Sequence, residues 1–386
     1  MRNICVIASG YPTKNDPSYA FIRPLVMAWA NIGLKCTIIA PQSITHSLIR
    51  KKNRRPVFWK DFSSNGEAVS VYQPKYFSVS NLKVFGCCIS EIFRLRAIRK
   101  VLNRINCQFD AFYAHFWDNG IIAATLSKEN NVFVATGESQ IWVKNKYSAK
   151  YIESVLPKIK GVIAVSRKNL EESQENGLIK EKSEAIILPN AFDSSIFHQM
   201  SQITCRKKLG FREDDFIIAF VGAFSERKGV CRLVDAAKKV PGAKLLLIGS
   251  GRIKPNSNQI VFSGKVPHND IPFYLNAADI FVLPTLAEGC CNAIIEAMAC
   301  GLPIVSSALP FNDDIIDDSC SKRVDPKSIN EIASAIKELN ENTNLRKKMV
   351  ENAIKKVASL TIENRAMLIL NFMKRCIGEI ENARMD

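Results

Sequence analysis

The sequence of 386 residues has no long apolar segment. Its apolar runs, such as VIAV, LLLIG and IFVLP, are far shorter than the roughly 20 residues that a membrane-spanning helix needs. The opening stretch MRNICVIASGYP predicts a buried strand that runs into a turn, and it lacks the small-residue cleavage pattern of a secretory signal peptide. We therefore expect a cytoplasmic protein without transmembrane segments.

The sequence also lacks any regular spacing among its twelve cysteines. It has no C-x-x-C pair, which is the usual spacing of a zinc or redox site. Most cysteines lie within apolar runs, including the adjacent pairs Cys87-Cys88 and Cys290-Cys291. We interpret them as reduced packing residues and predict no metal site.

Negative charge is scarce in the first half of the chain. Basic residues exceed acidic ones by 13 in residues 1–190 but by only 3 in the remainder. The basic residues are densest in residues 50–60 and 93–105, and the second segment interleaves them with apolar residues in helical order, as Arg94, Arg96, Arg99, Lys100 and Arg104. This pattern is typical of a surface for anionic lipid or another polyanion, and equally of a solvated helix face packed on a core.

Length and patterning indicate two α/β domains. Short β-branched runs alternate with helical patterns in residues 1–190, and the same rhythm returns after about residue 205. We predict two Rossmann-like, doubly wound domains facing an interdomain cleft, with boundaries at residues 1–193 and 206–365 and a linker at 194–205. The tail from 329 to 383 is predicted to be helical throughout, and its last part, 366–386, is a candidate to pack back on the first domain.

Four segments of the second half are predicted to bring polar groups to the carboxyl ends of its strands, where open α/β sheets bind ligands. The candidate residues are Gly222, Arg227 and Lys228 in VGAFSERKG, Gly249 in LIGSGR, Lys265 and Val266 in FSGKVP, and the stretch LAEGCCNAIIEAMACGLPIVSS. Adjacent arginine and lysine beside glycines suit a diphosphate. Taken alone, such a basic pair is more often a surface feature.

The stretch from Leu286 to Ser307 places Glu288 and Glu296 around a predicted short helix. Asn292 is predicted to be its N-cap and Gly301 its C-terminal glycine. Glu288 would lie just before the helix and Glu296 about one turn inside it, so both could face one pocket. The free N–H groups there attract an anion, and Gly289 leaves room for close approach.

In this order, the segments resemble glycosyltransferase family 4, a family of retaining sugar transferases with the GT-B fold. VGAFSERKG resembles the family's diphosphate loop and EGCCNAIIE its E-x7-E signature; ILPNAFD resembles the entry to its interdomain linker and GVIAVS its last amino-domain strand. The opening strand, loop and helix, residues 8–41, are also similar. The resemblance therefore covers nearly the whole chain.

The resemblance implies a role for each motif residue. Glu296 would bind the ribose of a nucleotide, and Glu288 the donor sugar near the reacting centre. Arg227 and Lys228 would stabilise the leaving diphosphate without a metal, and the backbone at Lys265 and Val266 would hold the base. Further donor contacts are expected from Gly222, Gly249, Gly289, Cys290, Cys291 and Asn292. The expected donor substrate is a UDP-sugar, with no other cofactor.

Two departures from the family pattern concern the catalytic site. Where the family usually has a histidine, this chain reads TGES, so Glu138 is one candidate for its role and His115, in AHFWD, is another. A packed core histidine and a simple loop acid are the alternatives for these two residues. After Ser306 the usual glycine-rich turn is replaced by SSALPFNDD, in which Leu309 is expected near the donor.

The predicted activity is hexosyl transfer to a glycan or lipid-linked acceptor in surface polysaccharide biosynthesis, by a cytoplasmic enzyme with a candidate peripheral site on the inner face of the membrane. A nucleotide-sugar epimerase or hydrolase on the same fold is an alternative, which would need no acceptor groove. A basic nucleic-acid-binding protein is a distant alternative, because the chain has no helix-turn-helix, zinc-finger or RNP pattern. We expect no nucleic-acid partner.

Overall fold

The computed structural model describes residues 1–13, 16, 18–49, 55–137 and 142–378. Chain contacts divide it into two compact units, which we call the first domain (Met1–Leu188 with Ile362–Asp386) and the second domain (Pro189–Thr361). The divisions fall near the boundaries predicted at 193 and 365. The assignment of acceptor and nucleotide functions to the two domains stays a prediction.

The described strands are β1 (Asn3–Ile7), β2 (Lys35–Ile39), β3 (Gln42–Ser43), β4 (Phe58–Phe62), β5 (Ala68–Tyr72), β6 (Lys75–Tyr76), β7 (Lys83–Val84), β8 (Cys87–Cys88), β9 (Ala111–His115), β10 (Val132–Ala135), β11 (Ile159–Ala164), β12 (Glu184–Ile187), β13 (Ile217–Val221), β14 (Lys244–Ile248), β15 (Ile260–Gly264), β16 (Ile280–Leu283), β17 (Ile304–Ser307) and β18 (Ser321–Val324).

The described α-helices are α1 (Ile22–Asn31), α2 (Ile44–Ile49), α3 (Ile89–Ile105), α4 (Trp117–Leu126), α5 (Trp142–Lys146), α6 (Ala149–Val155), α7 (Arg167–Glu175), α8 (Gln202–Leu209), α9 (Val230–Ala237), α10 (Ile271–Ala277), α11 (Asn292–Ala299), α12 (Ile329–Glu341), α13 (Thr343–Val357) and α14 (Ile362–Cys376). Short 3₁₀ turns occur at Leu156–Lys158, His268–Asp270 and Pro310–Asn312.

The first domain is built on an eight-stranded sheet with the order β12-β11-β10-β9-β1-β2-β5-β4. All neighbouring strands are parallel except β4 and β5. Residues 4–7 of β1 are fully buried because helices cover both faces of a central parallel strand. Val6 packs in the core with α1 and α14, whereas Cys5 and Ile7 pack in the core with α3 and α4.

The second domain is built on a six-stranded parallel sheet with the order β15-β14-β13-β16-β17-β18. Counted along the chain, this is the Rossmann order 3-2-1-4-5-6. The order reverses between β13 and β16, so the loops that follow these two strands diverge there and leave a crevice. The sequence motifs with the basic pair and with Glu288 occupy these two loops.

The sequence predicted a tail that is helical throughout, but the structure shows an interrupted one. It forms α12, α13 and α14, with breaks at Asn342 and at residues 358–361. The prediction was wrong at Asn342 because its side-chain oxygen accepts a hydrogen bond from the Leu345 amide (2.9 Å), which starts a new helix. Among the described helices, none is long and apolar enough to span a membrane.

The last helix, α14, completes the core of the first domain. It packs on α1, and its residues Ile369, Leu370 and Met373 are buried in the same cluster as Trp29. Trp29 is fully buried, and its indole N–H donates to the Ala366 carbonyl (2.9 Å). A segment separated from α1 by more than 300 residues is therefore held by both apolar contact and a hydrogen bond.

We predict that Trp29→Ala destabilises the first domain by about 3–5 kcal/mol, because it opens a large cavity and leaves the Ala366 carbonyl without its indole donor. Trp59→Ala is the control, since Trp59 is only half-buried. Urea unfolding followed by circular dichroism measures both variants. Equal losses would mean that the contact between α1 and α14 contributes little to stability.

Candidate functional site

The polar centre of the second domain is the carboxylate of Glu288, in the loop after β16. Its Oε1 atom accepts a hydrogen bond from Lys228 Nζ and one from Arg227 Nη1 at 3.3 Å. The Thr285 hydroxyl donates to the same oxygen at 2.9 Å. Arg227 also donates to the Ala287 carbonyl at 2.6 Å, and its own carbonyl accepts from the Leu286 amide at 2.8 Å. The loops after β13 and β16 are thus joined across the topological switch.

The three charged side chains at this centre differ in exposure. One carboxylate serves two cations, and the side chains of Glu288 and Lys228 are only 9% and 13% exposed, whereas that of Arg227 is 39% exposed. Glu288 Oε2 has no hydrogen-bond partner among the residues that the structure describes. A partly exposed guanidinium and an open carboxylate oxygen therefore lie together, which suits a ligand with both a phosphate and hydroxyl groups.

Two glycines bring a neighbouring loop close to the same edge. Gly249 follows β14 with a φ of +149°, and a Cβ on it would lie 1.8 Å from the Gly222 carbonyl oxygen. A Cβ on Gly251 would lie 2.1 Å from the Phe224 carbonyl oxygen. Gly222 itself has room for a Cβ, with its nearest neighbour at 3.5 Å. The steric need for glycine therefore lies in the loop after β14 and not at Gly222.

The predicted helix in the motif forms as α11, but its N-cap is Cys291 and not Asn292. Asn292 is the first helical residue, because its side-chain oxygen is held by the Asn190 amide at 2.7 Å. Asn190 also donates to the Cys290 carbonyl at 3.0 Å. Among the described residues no side chain caps α11, and the Ile294 amide donates to the Cys291 carbonyl at 3.2 Å. The start of this helix still carries the partial positive charge that attracts an anion.

The two glutamates of the motif have different partners. Glu296, in the second turn of α11, is 13% exposed, and its Oε1 lies 3.4 Å from Nε2 of His268. The hydrogen bond to Glu296 raises the pKa of His268. Lys265 is exposed and Val266 half-buried in the segment that leads from β15 to this histidine. Among the described residues, Glu288 contacts the basic pair of Arg227 and Lys228, whereas Glu296 contacts His268.

In the first domain, His115 ends β9 within an aromatic cluster. Its ring centroid lies 5.0 Å from that of Phe21 and 4.4 Å from that of Phe116. Burial, reinforced by nearby Arg365, lowers the pKa of His115 to about 3, so the imidazole stays neutral. Its Nδ1 atom is buried and has no hydrogen-bond partner in the described part of the chain. A base this weak is a poor proton acceptor. The aromatic contacts fit the alternative interpretation of His115 as a packed core histidine.

The other candidate, Glu138, lies outside the described residues. The preceding Gly137 is tightly enclosed, because a Cβ on it would lie 2.1 Å from the Phe116 ring. Phe116 has a φ of +74°, which is unusual for a residue with a side chain and indicates local backbone strain. Strain at the end of a β-strand that points to the ligand-binding edge is a common feature of functional sites.

The two serines that open the segment SSALPFNDD form hydrogen bonds to the end of β16 and the loop that follows it. The Ser306 hydroxyl donates to the Leu283 carbonyl (2.8 Å), and that of Ser307 donates to the Thr285 carbonyl. Asn312 donates to the Ser307 carbonyl at 2.9 Å. These bonds hold the start of the loop that carries Glu288. The site role expected for Leu309 stays a prediction.

The basic face predicted on α3 is smaller than the sequence had indicated. Arg94 is only 4% exposed, and its guanidinium bonds Glu91 and Asp118, each at 3.2 Å. The prediction that it faces a membrane was wrong, because Glu91 in the same helix and Asp118 of α4 compensate its charge in a buried position. Arg96, Arg99, Lys100 and Arg104 are exposed.

Sequence reasoning missed Thr285, Asn190 and His268. Thr285 and His268 lie in no recognisable motif. They matter because the fold places Thr285 against Glu288 and His268 against Glu296. Asn190 lies in ILPNAFD, which the sequence marked only as the start of a linker. Its contacts with Cys290 and Asn292 identify it as a support for α11.

The chain is similar in sequence to known glycosyltransferases. Residues 201–356 match the family model of glycosyl transferases group 1. The putative teichuronic acid biosynthesis glycosyltransferase TuaC of Bacillus subtilis is 27% identical over 350 residues, which cover 86% of this chain and 87% of TuaC.

Solved structures show the same fold over nearly the whole chain. Sucrose-phosphate synthase from Thermosynechococcus elongatus superposes with a TM-score of 0.77 at 18% identity, covering 98% of this chain and all of that one. Anabaena HepE in complex with UDP-glucose superposes with a TM-score of 0.68 at 16% identity, covering 97% of this chain and all of HepE. The fold is therefore GT-B, an α/β architecture with two domains and parallel sheets.

We predict that Gly249→Ala destabilises the second domain by about 1–3 kcal/mol and weakens binding of UDP, because the new methyl group must push the Gly222 loop away. Gly264→Ala is the matched control, since its Cβ would meet its nearest neighbour at 3.7 Å. Urea unfolding and calorimetric titration with UDP measure the two effects. Equal behaviour of the two variants would contradict a role for this backbone contact.

Proposed function

We propose that this GT-B glycosyltransferase is a member of glycosyltransferase family 4, a retaining, metal-independent hexosyltransferase. It would move a sugar from a UDP-sugar to a glycan or lipid-linked acceptor in surface polysaccharide biosynthesis. The observation that carries the proposal is the group of Lys228, Arg227 and Glu288 at the topological switch of the second domain. It offers positive charge and an open carboxylate oxygen at the edge where Rossmann folds bind nucleotides.

The basic pair would act on the leaving group. When the bond between the anomeric carbon and the diphosphate breaks, negative charge grows on the phosphate oxygens. Arg227 and Lys228 would stabilise that charge through hydrogen bonds that are already oriented by Glu288, so little reorganisation is needed during the reaction. The uncapped first turn of α11 would add N–H donors to the same anion. These groups supply positive charge without requiring a metal.

The two glutamates would divide the donor between them. Glu288 has an open Oε2 beside the cations and would accept a hydroxyl of the donor sugar. Glu296, one turn into α11 beside His268, would accept the ribose hydroxyls. The segment of Lys265 and Val266 leads to that histidine and would hold the base. Together the two contacts would hold the sugar and the nucleotide in place while the acceptor attacks the face from which the diphosphate leaves.

Relatives support the donor and the pathway. The HepE structure contains UDP-glucose, and the name of TuaC assigns it to teichuronic acid biosynthesis. We propose the same donor class and a surface polysaccharide product for this chain. A nucleotide-sugar epimerase or hydrolase would use the same donor contacts, but it would release sugar or UDP without an acceptor. Product analysis with and without acceptor distinguishes these activities.

We predict that Glu296→Gln weakens UDP binding about tenfold or more, because a neutral amide is a poorer acceptor for ribose hydroxyls than a carboxylate. Glu288→Gln is expected to leave UDP affinity nearly unchanged and to lower sugar transfer by on the order of 10²-fold. Calorimetry with UDP and a transfer assay with a UDP-sugar panel measure the two quantities.

Glu226→Gln is the matched control for both variants, since Glu226 lies in the same loop as the basic pair but its side chain is 72% exposed. It should bind UDP and transfer sugar normally. If Glu288→Gln abolishes UDP binding while Glu296→Gln does not affect it, the two roles are exchanged. If neither variant differs from the control, the proposed donor site is wrong.

We also propose that the enzyme works in the cytoplasm and binds the inner face of the membrane peripherally through its first domain. The exposed basic residues of α3 support this, together with four large apolar side chains before that helix. Phe77, Val79, Leu82 and Phe85 are 55%, 59%, 66% and 93% exposed. Exposed apolar groups beside basic ones are typical of proteins that bind anionic lipid.

We predict that changing Arg96, Arg99 and Lys100 together to Gln reduces co-sedimentation with anionic vesicles at low salt, since each basic residue near such a surface contributes about 1 kcal/mol. Changing Lys347, Lys348 and Lys355 of α13 to Gln removes the same charge from the second domain and is the control. Equal binding by both triple variants, or no binding by the unmodified protein, would contradict this membrane surface.

A further inference from the structure

A cavity of about 310 Å³ lies within the first domain, apart from the donor residues. Its lining includes Ser9, Pro41 and Asp118, which follow the carboxyl ends of β1, β2 and β9. These strands are adjacent in the parallel sheet, so the cavity opens at the edge where α/β domains bind ligands. Its volume is at the lower end for small-molecule sites and suits one sugar ring.

The lining of the cavity includes a cluster of four charged side chains. Arg94 Nη1 lies 3.2 Å from Glu91 Oε2 and from Asp118 Oδ2. Lys146 Nζ lies 2.9 Å from Asp118 Oδ2 and 3.3 Å from Glu91 Oε1. Two cations and two carboxylates therefore neutralise one another in a largely buried group.

The lining also contains the ion pair of Arg55 and Asp16. Arg55 donates through Nη2 and Nε to the same oxygen of Asp16, at 2.6 and 3.1 Å. The guanidinium lies 6.0 Å from the centre of the Tyr19 ring. Among the described residues that line the cavity, the charged ones are therefore three cations and three carboxylates, and each cation is within 3.2 Å of a carboxylate oxygen.

Several hydrogen-bonding groups in this lining have capacity left. Ser9 Oγ accepts from Asn119 at 3.0 Å, so its O–H is free to donate. The Tyr76 hydroxyl and Asp118 Oδ1 have no hydrogen-bond partner among the described residues. Burial raises the pKa of Tyr76, so its phenol stays protonated and can donate. The cavity thus offers two hydroxyl donors and a carboxylate acceptor.

We propose that this cavity binds an uncharged, polyhydroxylated sugar residue of the acceptor. This proposal rests on the proposed function, because only a transferase takes an acceptor. A sugar hydroxyl both donates and accepts, so it matches Tyr76, Ser9 and Asp118. A phosphate or carboxylate would have to draw a cation away from its partner and leave a buried carboxylate uncompensated, which is costly.

The charge of the cavity lining differs from the net charge of the domain that contains it. Among the described residues of this lining, cations and carboxylates are equal in number, although residues 1–190 carry an excess of basic residues. Selection between neutral and acidic sugars would therefore depend on local ion pairs and not on the net field. Asp16 has a particular part in this selection, because it neutralises Arg55.

Saturation-transfer NMR on the full chain without nucleotide tests the proposal. The probes are methyl glycosides of glucose, galactose and N-acetylglucosamine, compared with glucuronate and glucose 1-phosphate. We expect the neutral glycosides to bind better than the two anions. Tyr76→Phe should weaken the neutral probe that binds best about fivefold, through loss of one hydrogen bond. Tyr72→Phe makes the same change outside the cavity and should have no effect.

Asp16→Asn provides the opposite change. It leaves Arg55 without its carboxylate, so we expect this variant to bind glucuronate better than the unmodified protein does. Stronger binding of anions by the unmodified protein, equal effects of the two tyrosine variants, or no binding of any neutral probe would each overturn the proposal.

UDP binding is measured on the same samples as a thermal shift. UDP should stabilise the unmodified protein and Tyr76→Phe equally, because its site lies in the second domain. If UDP stabilises neither protein while the neutral glycosides bind as expected, the proposed function fails and the sugar site stands. If UDP binds but the glycosides do not, the sugar site fails and the donor site stands.

Discussion

The carboxylate of Glu288, shared by Arg227 and Lys228, is the interaction on which the second domain's site depends. Two cations in adjacent positions repel each other, and burial of Lys228 is costly without a partner. Glu288 compensates that cost and joins the loops after β13 and β16 across the topological switch. Arg227 stays partly exposed beside that carboxylate, so its guanidinium is accessible to an anion. Structural support and ligand attraction therefore have the same origin.

Close backbone packing sets the rest of the site around this group. Gly249 and Gly251 allow the loop after β14 to contact the backbone of the loop that leads to Arg227. Ser306 and Ser307 hold the far side by bonding carbonyl groups at the end of β16 and just after it. The loops that carry the candidate site residues are consequently fixed at several points, which would reduce the entropy lost on binding a ligand.

In the first domain, one arginine of a basic segment is buried in ion pairs and is not part of an exposed basic face. Arg94 looks like its neighbours Arg96 and Arg99 in the sequence, yet it lies inside a cluster with Glu91 and Asp118. Helical periodicity places it near the core, but only the fold brings Asp118, 24 residues away, into contact. In the part of the chain that the structure describes, the cavity of this domain is lined by equal numbers of opposite charges, although the domain has a large positive excess.

The sequence by itself determined the α/β class, the two Rossmann-like sheets and the order of the motifs, since buried parallel strands and helix faces follow from local patterns of apolar residues. It also indicated Arg227, Lys228 and Glu288 as functional. Only the tertiary structure decided which residues share a charge, that Glu296 pairs with His268, and that Asn190 displaces Asn292 from the N-cap role. These outcomes depend on contacts between residues far apart in the chain, and no local pattern encodes the distance between two such side chains.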